Sequence, residues 1–270
     1  MNKIAALYRR ELSYYFQSPV AYAVTTLFLL LSGYFFYNLL GYFNLESMRA
    51  MQSPMQSGLL SLTSSVLAPL FGNMSSVLLL MLPLLTMRLF SEERRSGSAE
   101  LLFTYPVSDT QVILGKFLAA VGLYALMILT GLVNLLPVWH YATSAPEWKP
   151  VLTGALALLL IGSCFIALGL FLMGVAFVAM GLFFSALSES QLVAGAMTFG
   201  CALLFLVIGW MTPFVSGATA AVLAQLSMVK HLDGMARGVI DSNDLVFYLN
   251  LTVFFLFMCA RVLDSARWRS

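Results

Sequence analysis

The chain has 270 residues, 60% hydrophobic and 10% charged, with a formal net charge of +2. A soluble domain has about 45–50% apolar and about 25% charged residues. Together with a mean hydropathy of +0.90, this composition excludes a disordered chain, a nucleic-acid binder and an ordinary cytosolic enzyme, and makes lipid the solvent of most of the chain.

Residues 1–18 differ from the rest. Ile4, Tyr8, Leu12 and Tyr15 recur at helical spacing, while Lys3, Arg10, Tyr14 and Gln17 lie on the opposite face. That pattern predicts an amphipathic helix lying in the membrane interface, with Pro19 permitting a bend into the first span. The apolar run that follows extends over about 24 residues, longer than the core of a secretory signal, so a retained span is expected.

Charge placement sets the spans. No Asp, Glu, Lys or Arg occurs in 12–45, 50–87, 117–146, 150–188, 190–229 or 245–260. A spanning helix needs about 20 apolar residues. Six spans are therefore predicted near 20–43, 66–90, 112–138, 154–187, 192–211 and 244–262. The fourth is long, and Gly162, Gly169, Gly174 and Gly181 either give it room to bend or part of it stands outside the bilayer. The segment 213–229 is apolar but carries Ser216, Thr219, Gln225 and Ser227, and reads as re-entrant or surface helices within an outer-face loop, 212–243.

With a cytoplasmic N-terminus, Lys3, Arg9, Arg10, Arg88, Arg94, Arg95, Lys116, Arg261, Arg267 and Arg269 fall inside, and Arg49, Lys149, Lys230 and Arg237 outside. That is the bias of the positive-inside rule, with both termini cytoplasmic. Trp139, Trp148, Trp210 and Trp268 lie at or beyond span ends, where an aromatic belt would have them. Arg88 and Lys116 lie near span ends, where both can snorkel.

Catalytic motifs are missing. There is no phosphate-cradling G-x-x-x-x-G-K-[ST], no H-E-x-x-H and no G-x-S-x-G. Cys164, Cys201 and Cys259 read as buried thiols without a metal or disulfide pattern, and His140 and His231 as solvated loop histidines. No ionisable residue sits deep in a span, which weakens the alternative of an ATP-independent secondary carrier or channel. Thr130 and Asn134, spaced i, i+4, are the nearest approach to a polar cluster within a span, best used for a hydrogen bond between helices.

The polarity that remains is concentrated in one loop, 91–110. A charged run, Glu92 to Arg95, closes the second span. Ser98 to Tyr105 then reads as a short amphipathic helix that Pro106 stops, and Ser108 or Asp109 caps the next helix. A short helix between two spans moves both when a partner pushes it.

The run FSEERRSGSAELLFTYPVSDTQVILGKF (90–117) resembles the hallmark of permease subunits of type-2 ABC transporters, in its E-E-x-x-x-G-x-x-E-L-L core followed by P-V-S and G-K-F. The opening ALYRRELSYYFQSPVAY (6–22) is similar to the helix leading into the first span in that family. The ending HLDGMARGVIDSNDLVFYLNLTVFFLFMCARVLDSARW (231–268) resembles the gliding-motility-associated branch, with Leu-Asp after His231 in place of an aromatic and an acidic residue.

The resemblance implies a single transmembrane domain over 1–270: an all-α integral membrane protein of six spans, with an N-terminal interfacial helix and a cytoplasmic coupling helix. It implies a non-enzymatic permease of an ATP-driven exporter in the bacterial inner membrane. ATP and Mg would sit on a separate ABC ATPase subunit, none in this chain. Two permease copies would pair as a homodimer or heterodimer, and in some branches an accessory membrane protein bears an extracytoplasmic domain. By position, Glu92, Glu93, Arg94, Arg95, Ser96, Gly97, Ser98 and Glu100 would contact the ATPase, with Gly97 permitting a sharp turn. Glu189, in the loop 188–191, would be a second contact point.

Overall fold

The computed structural model describes residues 3–52, 63–97, 108–135, 149–211, 214–236 and 241–267. Among these residues every regular element is helical. Helix α1 (Lys3–Gln17) leads into α2 (Pro19–Gln52). The turn between them is made at Ser18, whose N–H donates to Tyr15 O at 3.1 Å and whose hydroxyl accepts from Val20 N at 3.4 Å. Pro19, opening α2, needs no N–H partner there. A π-helical turn, Thr63–Leu67, precedes α3 (Ala68–Thr86) and the short α4 (Ser91–Arg95). Helix α5 (Asp109–Gly131) ends in a 3-10 turn, Leu132–Leu135. Then come α6 (Lys149–Leu187), α7 (Gln191–Met211), α8 (Ala218–Leu226), α9 (Met228–Ala236) and α10 (Ser242–Arg267).

Six stretches are long and apolar enough to cross a bilayer: α2, α3 continued through α4, α5, α6, α7 and α10. The chain is an all-α integral membrane protein. Buried residues concentrate in α3, α5 and α6, while α2, α7 and α10 turn most of their apolar surface outward. The first three form the centre of the bundle and the last three its periphery.

Helix α6 is the axle. Its 39 residues run unbroken, about 58 Å at 1.5 Å per residue, so part of it stands beyond a hydrocarbon layer of about 30 Å. Three of its glycines receive side chains from three other helices. Gly169 faces Met235 and Leu232 of α9, Gly174 the Tyr124 ring of α5, and Gly181 the Thr86 side chain of α3. Tyr124 also donates to the Leu170 carbonyl at 2.6 Å, which fixes the ring against Gly174. In lipid, where apolar side chains gain little by leaving the solvent, close approach at small residues is the main attraction between helices.

The segment 213–229 does not make a seventh span. It holds α8 and the start of α9, each helix of nine residues and therefore about 13.5 Å long. The break falls at Ser227, whose hydroxyl accepts from Lys230 N at 3.2 Å and lies against Gly209 of α7.

Several sequence expectations change. His231 is not a solvated loop histidine. It is half-buried, its Nδ1 2.6 Å from Asp244 Oδ1, its Nε2 3.0 Å from Gln225 O, and its ring stacked on Phe247 at 4.2 Å. It clasps α8, α9 and α10 together at the end of the bundle away from α1. Of the cysteines only Cys259 is buried; Cys201 is half-buried and Cys164 exposed, and all three are free. Thr130 bonds back to its own helix, to Leu126 O and Met127 O, each at 2.9 Å. His140, Trp139, Trp148 and Trp268 lie outside the described residues; Trp210 is exposed.

A methyl group at Gly174 meets the pinned Tyr124 ring, whereas one at Gly200 meets nothing within 4 Å. Gly174→Ala is expected to cost about 1–3 kcal/mol by overpacking and to lower the thermal midpoint of the detergent-solubilised protein. Gly200→Ala, measured beside it, leaves the midpoint within error.

Candidate functional site: the clamped loop after the second span

Between α3 and α4 the chain must leave one helix and start another without stranding its backbone groups. Met87 N donates to Pro83 O at 2.9 Å and Leu89 N to Thr86 O at 3.1 Å. The N–H groups of Phe90 and Ser91 then have no acceptor in their own helix, and the buried hydroxyl of Ser185 on α6 accepts from both, at 2.9 and 3.1 Å. Ser185 in turn donates to Met87 O at 3.1 Å, and the Ser91 hydroxyl also reaches Met87 O. One hydroxyl from a distant span thus supplies the cap that the local sequence lacks.

Helix α4 has Glu92 and Glu93 in its first turn and Arg94 and Arg95 in its last, the arrangement the helix dipole favours. It ends at Gly97, whose φ of +70° is the left-handed conformation that glycine adopts without strain. Ser96 N donates to Glu92 O at 3.0 Å and Gly97 N to Arg94 O at 3.2 Å, closing the turn. Downstream, Ser108 caps α5, its own N–H donating to Gln111 Oε1 at 3.4 Å.

The two glutamates point back into the protein. Glu93 Oε1 lies 2.8 Å from Lys116 Nζ on α5, and Glu11 Oε1 of α1 lies 3.3 Å from the same ammonium. The Phe90 ring covers that ammonium, 5.2 Å from its centroid. Glu92 Oε1 accepts from the Tyr14 hydroxyl of α1 at 3.1 Å. Partial desolvation of the largely exposed Tyr14 side chain, followed by this bond to Glu92, pushes its pKa up, so it remains a donor at physiological pH. Lys116 does not snorkel, therefore. It is 3% exposed, locked between carboxylates from the N-terminal helix and from the loop after the second span. Breaking such a buried pair by removing one partner costs about 3–5 kcal/mol, because the remaining charge is stranded.

Close packing supports the ion cluster. Leu7 of α1 sits on Gly115 and Tyr8 on Gly122, both of α5. The inward face of α1 comprises Ile4, Leu7, Tyr8, Glu11, Leu12 and Tyr15, of which Glu11 is buried and the others half-buried. Lys3, Arg10, Tyr14 and Gln17 are exposed, as the helical spacing predicts. Between α1, α2 and α3 lies a cavity of about 520 Å³, walled by side chains including Arg10, Glu11, Tyr14, Arg88, Glu92 and Lys116.

Of the residues singled out from the sequence, Glu92 and Glu93 are half-buried and engaged within the chain. Arg94 is half-exposed; Arg95, Ser96, Gly97 and Glu189 are exposed. Ser98 and Glu100, with the stretch up to Tyr105, lie outside the described residues. The sequence reading overlooked Glu11, Tyr14 and Ser185 as site residues. The signal for Glu11 was present: a carboxylate in the middle of an apolar helical stripe requires a buried cation. Nothing local marked Ser185. Among the described residues no group of three or more His, Cys, Asp or Glu side chains is placed to hold a metal ion.

The geometry defines a class first: a multi-span helical membrane protein in which a polar loop after the second span is bolted to the N-terminal helix and to the bundle core. The family model of the ABC-2 family transporter proteins matches residues 5–268, and the chain belongs to that family. A search of curated proteins finds no match.

Lys116→Met strands both Glu11 and Glu93 and is expected to destabilise the protein by about 3–5 kcal/mol. Adding Glu11→Gln to Lys116→Met recovers part of that loss. Thermal unfolding of the single and double variants in one detergent measures both; an unshifted midpoint in Lys116→Met would show that the cluster is not held as described.

Proposed function

We propose that the chain is the permease subunit of an ATP-driven exporter and that a separate ABC ATPase subunit drives it through the loop after the second span. Membership of the ABC-2 family gives the transporter class. The observation that carries the coupling is the double anchoring of α4: to α6 through Ser185 and to α1 and α5 through Lys116. A push on α4 passes into three helices without slack. Half-exposed Arg94 with exposed Arg95, Ser96 and Gly97 are the surface offered to the ATPase, with Glu189 from the loop 188–191 at the same end; Glu92 and Glu93 hold that surface to the body. Ser98 and Glu100 extend the contact on the strength of the sequence resemblance.

In this reading α1, the loop with α4 and the C-terminus are cytoplasmic, in the inner membrane of a bacterium. ATP and Mg bind the partner, and this chain does no chemistry of its own. ATP-driven closure of two ATPase subunits moves the two anchored loops of a permease pair, and the bundle shifts between two packings that the nucleotide biases. The export path runs between the two permeases, whether identical or not. The gliding-motility branch, and an accessory subunit with an extracytoplasmic domain, rest on the resemblance of 231–268, where His231 and Asp244 tie α8, α9 and α10 into one cap.

Charge reversal at the outward residues tests the docking. Arg94→Glu with Arg95→Glu is expected to lower copurification of the ATPase at least tenfold, the loss of about 1.4 kcal/mol, and to abolish stimulation of ATP hydrolysis by the permease. Arg49→Glu, at the other end of α2, leaves both intact. Full retention of the complex in the double reversal would place the ATPase elsewhere.

A further inference from the structure

The outward face of α2 carries a second pattern, separate from the hydropathy that makes the helix a span. Leu27, Leu31, Tyr34, Asn38, Gly41, Leu45 and Met48 recur at alternating steps of four and three. That is the a/d spacing of a two-stranded coiled coil, with Asn38 at an a position and Gly41 at the next d. All of them except the half-buried Leu31 are exposed. The opposite face is already used: Phe36 is buried with Val66 and Leu70, and Leu39, Leu40 and Phe43 pack on that group. The seam is what the fold leaves over.

Three features of the seam fit a neighbouring helix better than lipid. Asn38 spends one amide N–H on the Tyr34 carbonyl of its own helix, at 2.9 Å, and its oxygen and second N–H have no partner among the described residues. Acyl chains offer them none. Gly41 has no atom within 4 Å of where a Cβ would stand, which leaves room for a second backbone to come close. Phe28 and Ser32 lie against Gly131, the last residue of α5, so the exposed Leu45 and Met48 stand about 20 Å or more beyond the end of that span. Helix α10 also shows an amide on its outward face, Asn250. There it sits among Val246, Leu249, Val253, Phe254 and Phe257, bulky side chains with no glycine to admit a neighbour.

We infer that α2 pairs along this seam with α2 of a second, identical copy of the chain. The inference rests on the pairing of two permeases proposed above, and it names the surface and the partner. Two copies crossing the membrane in the same direction set the helices parallel, and a seven-residue repeat winds them left-handed. The contact is isologous, so residues near the two-fold axis meet their own counterparts. An amide is self-complementary there: each Asn38 N–H donates to the oxygen of the other copy, and both side chains are satisfied. A single asparagine at an a position fixes register and a two-stranded state. Gly41, one turn further out, brings the backbones together, and Tyr37 and Tyr42 flank the seam, where ring packs against ring across the pair.

The test uses the full chain in membranes, with Cys164, Cys201 and Cys259 replaced by alanine. Gly41→Cys, Leu45→Cys and Met48→Cys, made singly, are each expected to give a disulfide-linked dimer under mild oxidation. Glu46→Cys, exposed off the seam, and Val253→Cys, on the outward face of α10, give about tenfold less. Adding Asn38→Asp to Leu45→Cys sets two carboxylates against each other and lowers the yield about tenfold. Copurification of two differently tagged copies is measured alongside. Copies that copurify while none of the three seam cysteines cross-links overturn the seam and leave the paired permease standing; copies that do not copurify overturn both. Cross-linking from Glu46→Cys or Val253→Cys as strong as from the seam also overturns the proposal, the second by moving the contact to α10.

Discussion

The ammonium of Lys116 sits out of water between two carboxylates that come from different parts of the chain, Glu11 of the N-terminal helix and Glu93 of the loop after the second span. Two buried charges and a half-buried one in a protein that spends its few charges sparingly need mutual compensation, and each helix end here is placed by that need. Without Lys116, α1 would expose a carboxylate to an apolar groove and α4 would lose its tie to the third span. The leucine and tyrosine contacts of α1 on Gly115 and Gly122 set how close the helix lies; the ion cluster sets where along the span it stops.

The clamp is rigid because it closes on the bundle centre. Ser185 and Gly181, one helical turn apart on α6, hold the start of α4 and the end of α3. Nearby on the same helix, the Cys259 thiol of α10 lies 3.9 Å from the Leu182 carbonyl. Dense packing of this kind transmits displacement rather than absorbing it.

The spans were legible because charge is excluded from hydrocarbon, so each charge-free block contains most of one span, although the blocks 50–87, 117–146, 150–188 and 190–229 each overrun their span at one edge by several helical turns. The amphipathic stripe of α1 was legible for the same kind of reason. What could not be read was pairing. A hydropathy reading takes each charge alone, so Lys116 near a span end was assigned to water, when Glu11 and Glu93 were waiting across the fold. The cysteines failed differently: in a membrane protein an apolar block marks contact with lipid as readily as contact with protein, and Cys164 turns outward. His231 looked solvated because its partners, Gln225, Asp244 and Phe247, meet it only once α8, α9 and α10 fold together.

The distance in sequence between Glu11 and Lys116 has a consequence for biogenesis. The ribosome makes the N-terminal helix first and reaches Lys116 105 residues later (116 − 11), roughly 5–20 s at ordinary synthesis rates. Through that interval Glu11 has no cation, and the nascent helix floats on the membrane surface with its carboxylate hydrated. The third span, on arriving, supplies the counter-charge and draws the helix down. Closure of the triad therefore cannot precede the start of the third span, and the N-terminal helix is seated only after the two spans before it have been made.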